Sequence, residues 1–246
     1  MSGWIGLSVT VSVRNLSRTL GVFEIMRPGF RAVRRHWAPF LLIQAVALVL
    51  VIGYYHSEPI RTAARFVSFE KEKWGLLFVI VSGAMAGGIF PQIAKALTGQ
   101  TNKFDRKFWI ETLYIAFVFA VLAVQVDIFY RYQAVMFGTG IDVATLVKKT
   151  SMDMFVVSPI IFVPTGMLLL HLKNSHFRVG SLREALTWKF YRAYVVPTMP
   201  YNWAYWIPVV LCVYALPTVL QFPFAQLAEA AWSLLFVFIA SEVGEA

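Results

Sequence analysis

Charge is what this chain has least of. Of its 246 residues 14% are charged, against 59% that are hydrophobic, whereas a soluble domain carries roughly 25% charged residues. So little polar surface cannot cover a globule in water. This excludes the soluble globular classes and leaves a polytopic membrane protein. Cysteine is almost absent. Cys212 stands alone, so it has no intrachain disulfide partner and reads as a small hydrophobe within an apolar run. Histidine is sparse: His36, His56, His171 and His176 form no H-E-x-x-H and no compact ligand spacing. Nucleophile elbow, P-loop and paired-cysteine metal motifs are all missing. No catalytic, cofactor or metal residue is therefore assigned, and the chain reads as a non-enzyme. Acids are the rarer charge, 13 against 22 Lys and Arg, for a net charge of +9. In an apolar chain this excess belongs to loops that obey the positive-inside rule, and nucleic acid is not an expected partner.

What is present is apolar sequence in runs. The mean hydropathy is +0.65, and six stretches stand out: Ala38 to Tyr55, Trp74 to Leu97, Phe108 to Tyr130, Met154 to Leu170, Trp203 to Leu220 and Phe224 to Ala240. Each approaches the ~20 residues needed to cross hydrocarbon, several at the short end. The expected fold is all-α, a transmembrane helix bundle of four to six spans. The last two runs meet at "QFPF", which predicts a tight hairpin or a helix broken at Pro223. Residues 179–199 carry Arg183, Glu184, Lys189 and Arg192 between apolar positions and read as an amphipathic helix at the interface.

Three regions follow. Residues 1–37 form a basic extension with Arg14, Arg18, Arg27, Arg31, Arg34 and Arg35 against one acid, Glu24. That composition fits either a retained mitochondrial address or an amphipathic helix with arginines toward anionic headgroups such as cardiolipin. Residues 38–73 add an apolar span and a loop, and 74–246 form the main bundle. On a six-span count, basic residues favour the N-terminal side two to one, through residues 1–37, Lys103, Arg106, Lys107 and the Lys173–Arg192 loop. That side is expected to be matrix or cytosol.

Within the second run, Gly83, Gly87 and Gly88 make a small-residue face suited to close helix packing. Charges in or near spans cost roughly 3 kcal/mol or more at the bilayer centre, so they pair or face water. Asp127, Arg131, Asp153, Gln221 and Glu229 are the candidates for a polar network or pore. Asp127 and Arg131 are spaced i, i+4 to pair. Lys95 and Glu111 are placed to snorkel, and Asp153 reads as a helix cap. Trp203, Tyr205 and Trp206 read as an aromatic belt anchoring the fifth run.

The C-terminal stretch "NWAYWIPVVLCVYALPTVLQFPFAQLAEAAWS" resembles the pattern of the Mpv-type family, which includes the 22 kDa peroxisomal membrane protein and mitochondrial inner-membrane relatives. Asn202, Trp206, Pro217 and Trp232 carry it, with Gln221 keeping the spacing where the family has arginine. "KTSMDMFVVSP" (Lys149, Asp153, Pro159), "VDIFYRYQAVMFG" (Phe129, Tyr130, Gly138) and "SGAMAGG" are similar to further family segments, over residues 74–241. Several polar family positions are apolar here, in Val209 to Tyr214. The resemblance implies a multi-pass protein of the mitochondrial inner membrane, or alternatively the peroxisomal membrane. The lost polar positions favour a structural accessory subunit bound to other membrane subunits of a respiratory-chain or ATP-synthase type complex. The alternative is the family's weakly selective channel for small solutes or ions.

Overall fold

A computed structural model describes residues 21–35, 37–100, 104–178 and 180–244. Arg14, Arg18 and Lys103 lie outside the described residues. Among those described, every regular element is a helix and no strand occurs. The elements are α1 (Val22–Arg35), α2 (Trp37–His56), α3 (Glu58–Trp74), α4 (Leu76–Leu97), α5 (Arg106–Phe137), α6 (Val143–Asn174), α7 (Met199–Tyr214) and α8 (Thr218–Gly244). Four of them, α2, α4, α5 and α6, are long and apolar enough to cross a membrane. At 16 residues, α7 spans only about 24 Å, whereas α8 has 27 residues.

Contacts fix the directions. α2 and α7 run parallel: Phe40 packs on Tyr201, the Gln44 amide donates to the Ala204 carbonyl at 2.8 Å, and the Tyr55 hydroxyl donates to the Ala215 carbonyl at 2.6 Å. α8 returns antiparallel to α7, with the Tyr205 hydroxyl donating to the Ala228 carbonyl at 2.8 Å. α5 and α6 are antiparallel, joined at one end by Gln133 to the Lys149 carbonyl and at the other by Tyr114 to the Leu169 carbonyl. The six long segments thus alternate in direction. The starts of α2, α5 and α7 share one face with the ends of α4, α6 and α8. α3 lies at the opposite face, where Lys71 reaches Phe222 and Asp127.

Local sequence explains the boundaries. Asp105 and Asp142 cap α5 and α6, accepting from the amides of Phe108 at 2.7 Å and Thr145 at 3.0 Å. Gly75, at φ +51, lets the chain turn from α3 into α4. Two helices carry wide π-type turns, at Ala84–Ile89 in α4 and Asp153–Phe162 in α6. The second contains Pro159, which has no N–H and would clash with the carbonyl of a tight turn.

The glycine face does what its spacing predicts. Gly83, Gly87 and Gly88 are buried against α5, each within contact of Phe119, Ala123 or Ala116. Lipid gives apolar side chains no incentive to associate, so close backbone approach supplies the attraction. Leu42, Leu113 and Ile160 point outward, each about two thirds exposed, as lipid-facing positions do. Arg27, Arg31 and Arg34 are exposed on α1 and Arg35 ends it. α1 docks through Gly29, whose backbone abuts Pro197 and Pro200.

Several expectations are corrected. The last two segments form the tight hairpin, but its turn lies at Ala215–Pro217 rather than at "QFPF", and α8 runs unbroken through Pro223. Asp153 caps nothing: it sits inside the continuous α6, and Asp142 holds the cap. Lys95 does not snorkel and is only 6% exposed. Residues 180–199 are no single amphipathic helix. They form short turns at Gly180–Ala185, Trp188–Phe190, Tyr191–Val195 and Val196–Thr198, interrupted by the Thr187 cap and Pro197. Tyr205 is fully buried at the centre of an aromatic cluster with Phe40, Trp206 and Trp232, and the Trp203 indole donates to the Met154 carbonyl. Tyr205 is thus a core residue, and the half-buried Trp203 and Trp206 pack against that core, because α7 is enclosed by α1, α2, α6 and α8.

Candidate functional site: a cavity between α5, α6, α7 and α8

The polar residues of the bundle divide into three groups. The first is at the face that holds α3. Asp127 is buried and forms ion pairs with Lys71 at 2.8 Å and Arg131 at 2.6 Å. The expected pair is present, and Lys71, which lies far away in sequence, completes it. Two cations face one carboxylate here, and none of the three lines the cavity described below.

The second group is a buried network near the same face. The Tyr214 hydroxyl donates to Asp153 Oδ2 at 2.7 Å and accepts from Gln133 Nε2 at 2.9 Å. Gln133 also donates to the Lys149 carbonyl at 3.0 Å, and the Lys149 ammonium lies over the Tyr214 ring at 5.7 Å from its centre. Tyr130 packs edge-on against Tyr214. All five side chains are at most 4% exposed. Buried polar groups persist where they are hydrogen-bonded, and here α5, α6 and α7 each supply a member.

The third group lines a cavity of about 570 Å³. Its inner end is formed by Tyr130, Asp153 and Met154, each at most 4% exposed. Its wall carries Ser158, Asn202, Trp206, Gln226, Glu229 and Trp232. Towards the other face it is bounded by His171, Asn174, Phe190, Tyr194 and Thr198, with Asn174 and Tyr194 exposed. Exposure therefore rises from the Asp153 end to the Asn174 end. At its buried end the cavity meets the Tyr214–Asp153–Gln133–Lys149 network through Asp153. Asn202 donates to Ser158 Oγ at 3.2 Å and Glu229 accepts from Ser233 Oγ at 3.1 Å. His171 packs edge-on against Phe190.

Of the candidate pore residues, Asp153 and Glu229 meet at this cavity. Asp127 and Arg131 do not, and Gln221 is buried in α8, donating to the Leu216 carbonyl at 3.0 Å. Of the family-pattern residues, Asn202, Trp206 and Trp232 line the cavity, while Pro217 marks the turn before α8. Sequence reasoning missed Gln133, Tyr214 and His171 as members of the site. A spacing signal was available: Lys149 and Asp153 are i, i+4 on one helix face, and Tyr130 and Gln133 are i, i+3. Among the described residues no group of three or more His, Cys, Asp or Glu side chains could hold a metal.

No protein-family model, no curated protein and no solved structure matches the chain. The Mpv-type likeness rests on the order and spacing of the residues themselves.

Proposed function

We propose that this multi-pass membrane protein admits small solutes into the cavity between α5, α6, α7 and α8. The observation that carries the reading is the cavity itself. Its volume of about 570 Å³ lies in the range of roughly 300–1,000 Å³ typical of small-molecule sites. Its lining includes two carboxylates, Asn202 and His171, and polar groups at membrane depth mark solute pathways. The resemblance of Asn202, Trp206 and Trp232 to the Mpv-type pattern supports the same function, since that family is associated with small-solute passage. The arginine-rich N-terminal region supports the mitochondrial inner membrane as its place, with cardiolipin-like anionic lipids against Arg27, Arg31 and Arg34.

The test uses purified protein in liposomes of phosphatidylcholine and cardiolipin, loaded with a graded set of labelled small solutes. Gly166 lines the cavity, and a Cβ added there meets only Leu122, at 3.6 Å. Gly166→Trp therefore fills the space at little cost to the backbone. Release is expected from the wild type and from Gly166→Ala, and it is lost in Gly166→Trp. Release no faster than from protein-free liposomes refutes solute passage.

The second reading, an accessory subunit of a larger inner-membrane complex, is favoured by one observation: the Asp153 end of the cavity is buried. A native gel of gently solubilised membranes separates the two. Migration with a large complex supports the subunit, and migration as a monomer or small oligomer removes it.

A further inference from the structure

We propose that the cavity is a binding site for an organic cation, an amine or quaternary ammonium attached to an apolar body. The inference rests on the reading above, that the cavity takes up solutes, and names the class of solute. The first ground is charge. Among the described residues no Lys or Arg lines the cavity, whereas Asp153 and Glu229 both do. The second is that these carboxylates lack a counter-ion. Elsewhere the bundle matches its acids, Asp127 with Lys71 and Arg131, and Glu111 with Lys173 at 4.0 Å. Asp153 and Glu229 receive only the neutral hydroxyls of Tyr214 and Ser233, and among the described residues no basic side chain pairs with either. Two carboxylates facing one space in a low-dielectric bundle create a potential that a cation relieves and an anion meets as repulsion.

The third ground is the wall. Tyr130, Phe162, Phe190, Tyr194, Trp206 and Trp232 all line the cavity. Aromatic faces attract cations through their quadrupoles, and they suit weakly hydrated ammonium groups with apolar substituents rather than a hydrated metal ion. The fourth is unmet hydrogen bonding. The Gln226 Oε1 is buried without a partner, so an acceptor is available to an N–H. Such an orphaned acceptor normally has a partner, and a protonated amine of this class supplies the N–H. Tyr130 is 4% exposed and lines the same space.

The experiment compares three probes of one shape on the full chain in nanodiscs of neutral lipid: benzyltrimethylammonium, its uncharged carbon isostere neopentylbenzene, and anionic benzenesulfonate. Binding is read by calorimetric titration. The cation is expected to bind at least ~10-fold more tightly than the isostere, with no measurable binding of the anion. Asp153→Asn and Glu229→Gln are each expected to abolish most of that difference while leaving the isostere's affinity within ~2-fold. Equal binding of cation and isostere by the wild type overturns the proposal, and that result needs no variant to fold. So does an unchanged cation preference in both variants. The liposome release assay keeps the two readings apart. Release of solutes without regard to charge, with no cation preference in binding, sinks the organic-cation site and leaves solute passage standing. Cation-selective binding with no release does the reverse.

Discussion

Gly88→Ala offers the sharpest test of how α4 and α5 are held together. A Cβ built on Gly88 would lie 2.5 Å from the Ala116 Cα, 2.8 Å from its amide nitrogen and 3.0 Å from its Cβ. Two of those three atoms are backbone, so no rotamer change removes the clash. To restore an ordinary contact of 3.4 Å the helices must part by roughly 1 Å along that line, losing dispersion contacts along the interface. Overpacking of this kind costs about 1–3 kcal/mol. The neighbouring glycine gives the control. At Gly83 the nearest atom is the Ala123 Cβ and the next is the Phe119 carbonyl oxygen at 3.0 Å. Gly83→Ala with Ala123→Gly should therefore recover much of the stability that Gly83→Ala loses. Gly88→Ala with Ala116→Gly should recover little, because the Ala116 Cα and nitrogen remain. The assay is reversible unfolding in mixed detergent and SDS micelles, followed by tryptophan fluorescence. A Gly88→Ala protein within about 0.5 kcal/mol of wild type, or a rescue by Ala116→Gly equal to that at Gly83, would refute the close-approach argument.

Three further outcomes are expected. Tyr214→Phe removes the hydroxyl that bonds Asp153 and Gln133, leaving buried groups short of partners at a cost of about 1–3 kcal/mol; a loss below ~0.5 kcal/mol in the same unfolding assay would contradict the network. Asp127→Asn strands Lys71, whose side chain is 11% exposed, and should cost about 3–5 kcal/mol. Arg131→Met should cost less than about 1 kcal/mol, since the Arg131 side chain is 65% exposed; equal losses would show that exposure does not govern this triad. The bonds from Thr145 to Asp142 hold its carboxyl below the ordinary value of 3.8. A depressed folded value means that the cap's contribution is complete above that ordinary value and fades as pH falls through the folded one. Amide exchange at Thr145 and Leu146 should thus gain an extra acceleration below about pH 4, absent in Asp142→Asn. Identical profiles in the two proteins would argue against the cap.

The bundle was largely legible because hydropathy reports lipid contact directly. Leu42, Leu113 and Ile160 face outward as the apolar runs predict, and Gly83 and Gly88 sit on the α5 contact that their spacing implies. The aromatic residues were misread for a physical reason. Trp203, Tyr205 and Trp206 have the same composition whether they meet headgroups or core, and only the enclosure of α7 by four neighbours decides between them. Pro223 was misread similarly. A proline early in a helix leaves few carbonyls unpaired, so the chain broke at Pro217, where Tyr55 caps the free Ala215 carbonyl. Within the site, Asp153 and Glu229 could be singled out because an acid in an apolar run is conspicuous. Tyr130 and Tyr214 could not, since a tyrosine in such a run looks like any other aromatic until its hydroxyl is located. Lys71 was invisible as the partner of Asp127 because they lie 56 positions apart, with the whole of α4 between them.

The wide turn in α6 has a geometric effect on the whole cavity. Met154, Ser158, Phe162, Gly166, Leu170 and Asn174 all line it, a strict four-residue recurrence. In a regular α-helix each four-residue step overshoots a full turn by about 40°, so such a row winds steadily off any straight line. The i→i+5 bonding across Asp153–Phe162 underwinds the helix and takes back part of that drift. One helix can then present a nearly straight strip to the cavity, from its buried end to its exposed one. Chain length within this strip is consequently not a free variable. Deleting a single residue between Asp153 and Phe162 would allow a tighter turn, and everything on the far side would rotate by about 100°. Asp153 and Asn174 would then face different neighbours, and the strip would be cut in two.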